Sequence, residues 1–421
     1  MANKQRVKGA EALLMSPIAE GTDIIFGYPG GQVIPIYDHL YDYKDQINHI
    51  LTRHEQGAVH AAQGFARVTG RVGVCMATSG PGATNLVTGI ADAMLDSTPL
   101  VCITGQVPQT LLGTDAFQEA DIISMTMPIT KWNFQVTSAS EIAGAVAKAF
   151  YIARSGRPGP VLIDITKNAQ VEEVDFAYKP CIYLRSFQPK PEFDPALAEK
   201  AVGMINRAEK PIILAGQGIK LAGAEQALIE FAEAGNIPVA QTLMGISSVA
   251  NDHPLCVGNL GMHGNVAANE MTQHSDLIIA VGMRFSDRVT GDLKTYAPHA
   301  EIIHVDIDQA ELNKNIKVAL PVHADAKDAL EAFKVGLKYK DRPEWFAFAK
   351  EKAALEDELI ISCSADPEGK QITMSEVVQR LAVAEKSDAV IVTDVGQNQM
   401  FSARYSRFNR TRSFVTSGGL G

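Results

Sequence analysis

The chain has 421 residues, a formal net charge of -10, 46% hydrophobic and 20% charged residues. Its length calls for two or three domains, and the apolar share excludes a disordered or low-complexity chain. The acidic balance excludes the basic face of a nucleic-acid binder, so any anionic ligand has to be held by local donors.

The first stretch alternates apolar runs with small-residue helices. Ile24-Ile-Phe-Gly27 reads as a strand entering a Gly/Pro turn, and Ile47-Asn-His-Ile-Leu-Thr-Arg-His54 as a second strand. A helix rich in Ala and Gly is predicted from Glu55 to Val68. Val72–Thr78, Leu100–Thr104 and Pro160–Ile165 are further buried strands. Strand, loop, helix, strand predicts an α/β fold with a parallel sheet covered on both faces.

From 176 to 193 the periodicity stops and Pro180, Pro189 and Pro191 appear, the composition of a linker. A second α/β unit is predicted over 194–337, with strands Pro211–Ala215, Asp276–Val281 and Glu301–Asp306. A charged, helical connector follows over 338–370, and a third unit starts at 371 with a strand at Ala389–Thr393. Two strands are too few to close a sheet, so 371–421 is expected to be an incomplete third domain.

No apolar run approaches the roughly 18 residues that span a bilayer, and the first ten residues lack the apolar core of a secretory signal. Cys75, Cys102, Cys181, Cys256 and Cys363 are scattered, with no paired spacing. The expectation is a soluble cytoplasmic protein with reduced thiols and no membrane partner.

Three loops stand out as possible sites. Gly27-Tyr-Pro-Gly-Gly31, Arg53-His-Glu-Gln-Gly57 and Thr78-Ser-Gly-Pro-Gly-Ala-Thr-Asn85 each follow a predicted strand. Taken singly, they read as a turn, a helix-capping Glu and a tight strand-to-helix connection. Taken together, they lie at the carboxyl ends of strands in one sheet, where open parallel sheets bind ligands. In the second unit, Gly216-Gln-Gly218 follows a strand, but Leu221 stands where a dinucleotide fingerprint wants Gly. Asp306 and Asp308 end another strand, as ribose or adenine ligands or as turn formers.

The ordered set of motifs carries a more specific resemblance. Beyond the three loops come Gly113-Thr-Asp-Ala-Phe-Gln-Glu119, Thr130-Lys-Trp-Asn-Phe134, Ser155-Gly-Arg-Pro-Gly-Pro160, Gly261-Met-His-Gly264, Met283-Arg-Phe-Ser-Asp-Arg-Val-Thr-Gly291 and Val305-Asp-Ile-Asp308. In that order, over essentially the whole chain, they resemble the catalytic subunit of the thiamine-diphosphate-dependent acetolactate (acetohydroxyacid) synthases.

The resemblance implies successive domains: a pyrimidine-binding domain over 1–175, an FAD-binding Rossmann-like domain over 194–337, and the start of a diphosphate-binding domain over 371–421. It implies that pyruvate is decarboxylated and its hydroxyethyl unit joined to pyruvate or 2-oxobutyrate, a step of branched-chain amino acid biosynthesis. Glu55 would then be the carboxylate that acts on the cofactor's aminopyrimidine, with Gln118 near the reacting carbons and Lys131 at the substrate entrance. Without that resemblance the latter two would read as a loop Gln and a solvated Lys. Tyr28, Pro29, Gly30, Gly80, Asn85, Val395, Gly396, Gln397 and Asn398 match positions around thiamine diphosphate. Many relatives carry His where Asn398 stands.

Arg157, Gly216, Gly218, Gly261, Met262, His263, Gly264, Gly282, Arg284, Asp306, Asp308 and Asp325 match positions around FAD, which in this family does no net redox work. Glyoxylate carboligases, also similar, have an apolar residue at the position of Glu55. The family's Mg2+-binding Gly-Asp-Gly segment is expected beyond Gly421, so no residue here is assigned to the metal, and the corresponding expectation is poor thiamine diphosphate binding and little or no activity of the chain as given. A homodimer or tetramer with a small regulatory subunit is also implied. Two other readings are a non-catalytic FAD-binding or dimerising module and a pyruvate oxidase-like oxidoreductase.

Overall fold

The computed structural model describes residues 5–364, 371–386 and 388–421. The first residues of the chain and the end of the expected connector, 365–370, lie outside them. The chain divides into two compact units, one of 1–189 with 419–421 and one of 190–418.

In the first unit a short antiparallel pair joins β1 (Gln5–Lys8) to β8 (Glu173–Phe176). The main sheet holds β2 (Ile24–Gly27), β3 (Asn48–Leu51), β4 (Gly73–Ala77), β5 (Leu100–Gln106), β6 (Trp132–Val136) and β7 (Pro160–Thr166). Its order is β3-β2-β4-β5-β7-β6, with every pair parallel. β4, β5 and β7 are buried along their whole length, because helices cover both faces.

Alternation sorts these side chains. Val74, Met76, Val101, Ile103, Val161 and Ile163 enter one core, and Cys75, Ala77, Leu100, Cys102 and Leu162 enter the other. The chain leaves β2 toward β3 and returns to place β4 on the other side of β2. The crevice between β2 and β4 is therefore a topological switch point.

The second unit repeats the logic with β9 (Pro211–Ala215), β10 (Val239–Gln241), β11 (Cys256–Asn259), β12 (Leu277–Val281), β13 (Glu301–Asp306) and β14 (Leu320–His323). The order is β11-β10-β9-β12-β13-β14, all parallel, with the switch point between β9 and β12. This is the dinucleotide-fold order. A further parallel pair, β15 (Ile391–Val392) and β16 (Phe414–Val415), belongs to the same unit.

The strand expected at 389–393 is thus two residues long, and that expected at 47–54 is four. No helix among the described residues is long and apolar enough to cross a membrane.

Candidate active site

Three connections meet at the switch point of the first sheet. The helix Glu55–Thr69 starts just after β3, with the His54 side chain accepting from the Gln56 N–H as its cap. Glu55 therefore stands in the first turn, where the helix dipole favours negative charge. Its side chain is buried, at 8% exposure, and among the described residues Asn85 is its hydrogen-bond donor, Nδ2 to Oε2 at 2.9 Å. Asn85 ends the short turn after β4, so this contact ties two rim loops together.

Thr78 ties in the third loop. Its Oγ1 accepts from the Gln32 N–H at 3.1 Å, and a Cβ on Gly30 would stand 2.4 Å from the Thr78 methyl. Tyr28 is partly exposed on the same loop. Beneath it, Tyr37 Oη lies 3.0 Å from His49 Nε2. Burial, with the Glu55 charge second, pushes the Tyr37 phenol far above its usual range, and burial lowers His49.

Gly80 brings in a fourth segment. Its φ is +57, and a Cβ there would stand 2.7 Å from the Gln118 carbonyl oxygen. Gln118 itself has a φ of +61, a conformation that a side-chain-bearing residue adopts at a local cost of about 1–3 kcal/mol. The loop is folded around the Glu119 carboxylate, which accepts from the Gly113 and Ala116 N–H groups and is held below its usual pKa by them. Replacing Gly80 with Ala adds both a positive-φ penalty and a backbone collision. The expected result is a loss of catalytic activity of at least about tenfold, with thermal stability lowered by no more than about 3 kcal/mol. Steady-state kinetics beside a thermal melt check this, and unchanged kinetics would remove Gly80 from the site.

Lys131 and Arg157 lie elsewhere in the unit. Both precede the first residues of strands, Trp132 and Pro160, so they sit on the opposite rim from Glu55. Lys131 Nζ donates to the carbonyls of Ile152 and Ser155 at the end of the helix Ile142–Arg154. Burial, with Arg157 nearby, lowers its pKa to about 8. Arg157 Nε donates to Ser97 Oγ at 2.8 Å.

In the second unit the residues matched to FAD gather on the carboxyl rim of the sheet. Gly216 and Gly218 follow β9 and Gly282 follows β12, on either side of the switch point. A Cβ on Gly216 would stand 2.1 Å from the Gly282 carbonyl oxygen, and one on Gly218 2.6 Å from the Gly282 Cα. The Gly218 N–H donates to the Gly282 carbonyl, so these glycines serve first to let two backbones touch. Gly261 to Gly264 follow β11, where Met262 is exposed and the Gly264 carbonyl accepts from Arg404.

His263 is pushed below its usual pKa by burial, then by Arg288 and Arg404. Asp306 accepts from the Asp308 N–H, Asp308 from the Ala310 N–H, and Asp325 caps the helix Ala326–Lys334. Each carboxylate thus organises its own turn as well as facing the rim. Arg284 lies between β12 and the turn Asp287–Thr290. Val395 and Gly396 follow β15, with Gly396 at φ +131 opening the helix Gln397–Tyr405, and Asn398 Oδ1 accepts from the Gln399 N–H.

Thr78, Ser79, Glu119 and Asp164 also belong to the first unit, although no motif gives them a role. Ser79 is 1% exposed and its Oγ has no hydrogen-bond partner among the described residues, an orphan hydroxyl beside the Glu55 loops. Thr78 and Ser79 belong to the segment Thr78–Asn85, and Glu119 to Gly113–Glu119. Asp164 had one visible signal, a lone carboxylate in the apolar run Pro160–Thr166.

Residues 7–125 match the family model of the thiamine pyrophosphate enzyme N-terminal TPP binding domain, and 198–333 that of the thiamine pyrophosphate enzyme central domain. The chain is 47% identical to the acetolactate synthase large subunit of Corynebacterium glutamicum, over 100% of this chain and 67% of that one. It is 45% identical to an acetolactate synthase of Mycobacterium bovis, over 99% and 68% of the two chains. It is 44% identical to the acetolactate synthase isozyme 2 large subunit of Escherichia coli, over 99% and 73%.

Proposed function

Because this chain belongs to the acetolactate synthase large-subunit family, we propose that it decarboxylates pyruvate and joins the resulting two-carbon unit to a second 2-oxo acid, pyruvate or 2-oxobutyrate. The observation that carries this reading is the buried Glu55 carboxylate, held by Asn85 where the three rim loops and the Gln118 segment converge. The residues fit thiamine diphosphate: a carboxylate at a helix N-terminus, close-approach glycines at 30 and 80, and the orphan Ser79 hydroxyl. Thiamine diphosphate, when bound, supplies a carbon nucleophile and an electron sink for loss of CO2.

In this reading Glu55 holds the proton at the pyrimidine ring nitrogen, and Asn85 fixes the carboxylate so that it faces that ring. Tyr28, Pro29 and Gly30 line the same crevice, and Gln118 faces the reacting carbons. Val395, Gly396, Gln397 and Asn398 hold the diphosphate end. Mg2+ belongs to the proposal as counterion to the diphosphate. Among the described residues no group of three or more His, Cys, Asp or Glu side chains could hold a metal, so no step is derived through it.

FAD belongs to the proposal as the ligand of the second unit, whose switch point and rim carboxylates suit a dinucleotide. Its residues are Gly216, Gly218, Gly261, Met262, His263, Gly264, Gly282, Arg284, Asp306, Asp308 and Asp325, with Arg157. Lys131 is proposed to act on the carboxylate of a substrate before it reaches Glu55. The domain limits 1–175, 194–337 and 371–421 are kept on the same footing, as are a homodimer or tetramer, a small regulatory subunit and a cytoplasmic location in which the five free thiols stay reduced.

Supplying pyruvate with thiamine diphosphate and Mg2+ tests the reading. Acetolactate is the product expected of any turnover, together with a visible flavin band that pyruvate does not bleach. Stoichiometric bleaching of that band would instead identify an oxidase, and CO2 release without acetolactate a simple decarboxylase.

A further inference from the structure

The loop that carries Gln118 leaves β5 at Gln106 and closes at Ala120, and one side chain grips both ends. Gln106 Oε1 accepts from the Val107 N–H at 2.9 Å, and Gln106 Nε2 donates to the Ala120 carbonyl at 2.9 Å. The two contacts fix the amide's orientation, since the carbonyl oxygen must face the N–H and the NH2 the carbonyl.

The second hydrogen of that NH2 goes to Asp164 Oδ2 at 3.1 Å. Asp164 also accepts from Gln135 Nε2 at 2.9 Å and from Thr104 Oγ1 at 2.7 Å. It is 0% exposed, and among the described residues no cation is one of its hydrogen-bond partners. The residues on either side of it, Ile163 and Ile165, enter the opposite core. An unpaired carboxylate in that position is costly unless several donors satisfy it, and here three neutral donors on β5 and β6 converge on one group.

We propose that Asp164 is a positioning residue for Gln118, acting through Gln106 to hold both ends of the loop 107–120 and keep Gln118 against Gly80. The choice of a carboxylate follows from the geometry. It accepts from two amides and a hydroxyl at once, which an apolar residue cannot do. Burial, opposed by the Gln135, Thr104 and Gln106 donors, brings Asp164 to a pKa of about 6. The role in the reaction rests on the reading of Gln118 given above; the clamp itself does not.

The test is a double-mutant cycle with Asp164→Leu and Gln106→Leu, read by amide exchange at Val107 and by the steady-state kinetics of acetolactate formation. Each substitution is expected to raise Val107 exchange at least about tenfold with strands β4 and β7 unchanged, and to lower kcat/KM about tenfold. The double variant is expected to be no worse than either single one, because both remove the same clamp. Asp164→Asn is expected to recover most of the activity, since the Thr104 hydroxyl can reverse to accept from the new NH2.

Additive losses, or exchange that rises uniformly across the sheet, would overturn the proposal. So would unchanged exchange at Val107. Raised exchange with unchanged kinetics would uphold the clamp and instead overturn the part given to Gln118. If Asp164→Leu does not fold, Gln106→Leu alone reads the same clamp, because it leaves Asp164 with Thr104 and Gln135.

Discussion

Replacing Glu55 with Gln is expected to lower the rate of acetolactate formation about a thousandfold, equivalent to about 4 kcal/mol of lost transition-state stabilisation. The substitution is close to isosteric. The new side-chain oxygen can still accept from Asn85 Nδ2, so the 2.9 Å contact between the two loops survives. The helix keeps its cap, because His54 rather than Glu55 accepts from the Gln56 N–H. What changes is proton chemistry at one atom: a carboxylate can take up and hold a proton at a ring nitrogen, and a neutral amide cannot. Stability and thiamine diphosphate affinity are therefore expected to move far less than the rate. Parallel measurement of kcat, cofactor titration and thermal melting separates these effects. A Glu55→Gln enzyme that forms acetolactate at the parent rate would sink the assignment, and one that has lost its fold would show the carboxylate to be structural.

Which features of this chain are legible in its sequence, and which are not, follows from the range of the forces involved. The buried strands β4, β5, β7, β9, β12 and β13 are short apolar runs, and such runs are visible locally. The edge strand Trp132–Val136 mixes polar and aromatic residues, and β10 and β14 are three and four residues long, so none of them stands out. The rim position of the three loops follows from strand order alone.

The contact of Gly80 with Gln118 does not, because it depends on a left-handed residue inside a loop that no periodicity describes. Lys131 reads by motif as a substrate-entrance residue and Arg157 as a flavin contact, and the strand direction places both on the far rim of their sheet from Glu55. Asp306, Asp308 and Asp325 show the converse. Turn formation and ligand binding use the same residue types at the same strand ends, and the geometry shows each of them organising a turn.

Removing Arg342 is expected to produce the largest loss of stability among side chains outside the candidate site. It lies at the start of the charged stretch after the second sheet, where a solvated side chain would be the ordinary expectation. Instead it is 4% exposed. Nη1 donates to the carbonyls of Gly235, Asn236 and Lys340 at 2.7, 3.2 and 3.2 Å, and Nη2 to that of Ala208 at 3.3 Å.

Ala208 caps the helix Pro195–Arg207, and Gly235 and Asn236 end the helix Glu225–Gly235. One guanidinium thus answers the unpaired carbonyls and the negative dipole ends of two helices at once. The next helix, Pro343–Glu356, begins at the following residue, and its Trp345 Nε1 donates to the Pro211 carbonyl at the start of β9.

Arg342→Met keeps most of the volume and removes every donor, leaving buried carbonyls without partners at about 1–3 kcal/mol each where water cannot reach them. The expected cost is about 3–5 kcal/mol, which lowers the melting temperature of a unit of this size by about 10 °C. Arg342→Lys should recover part of that, since an ammonium keeps the charge but cannot fork across carbonyls on two helices. A melting temperature for Arg342→Met within about 2 °C of the parent would mean that water replaces the guanidinium without penalty, and that the two helix ends need no cation.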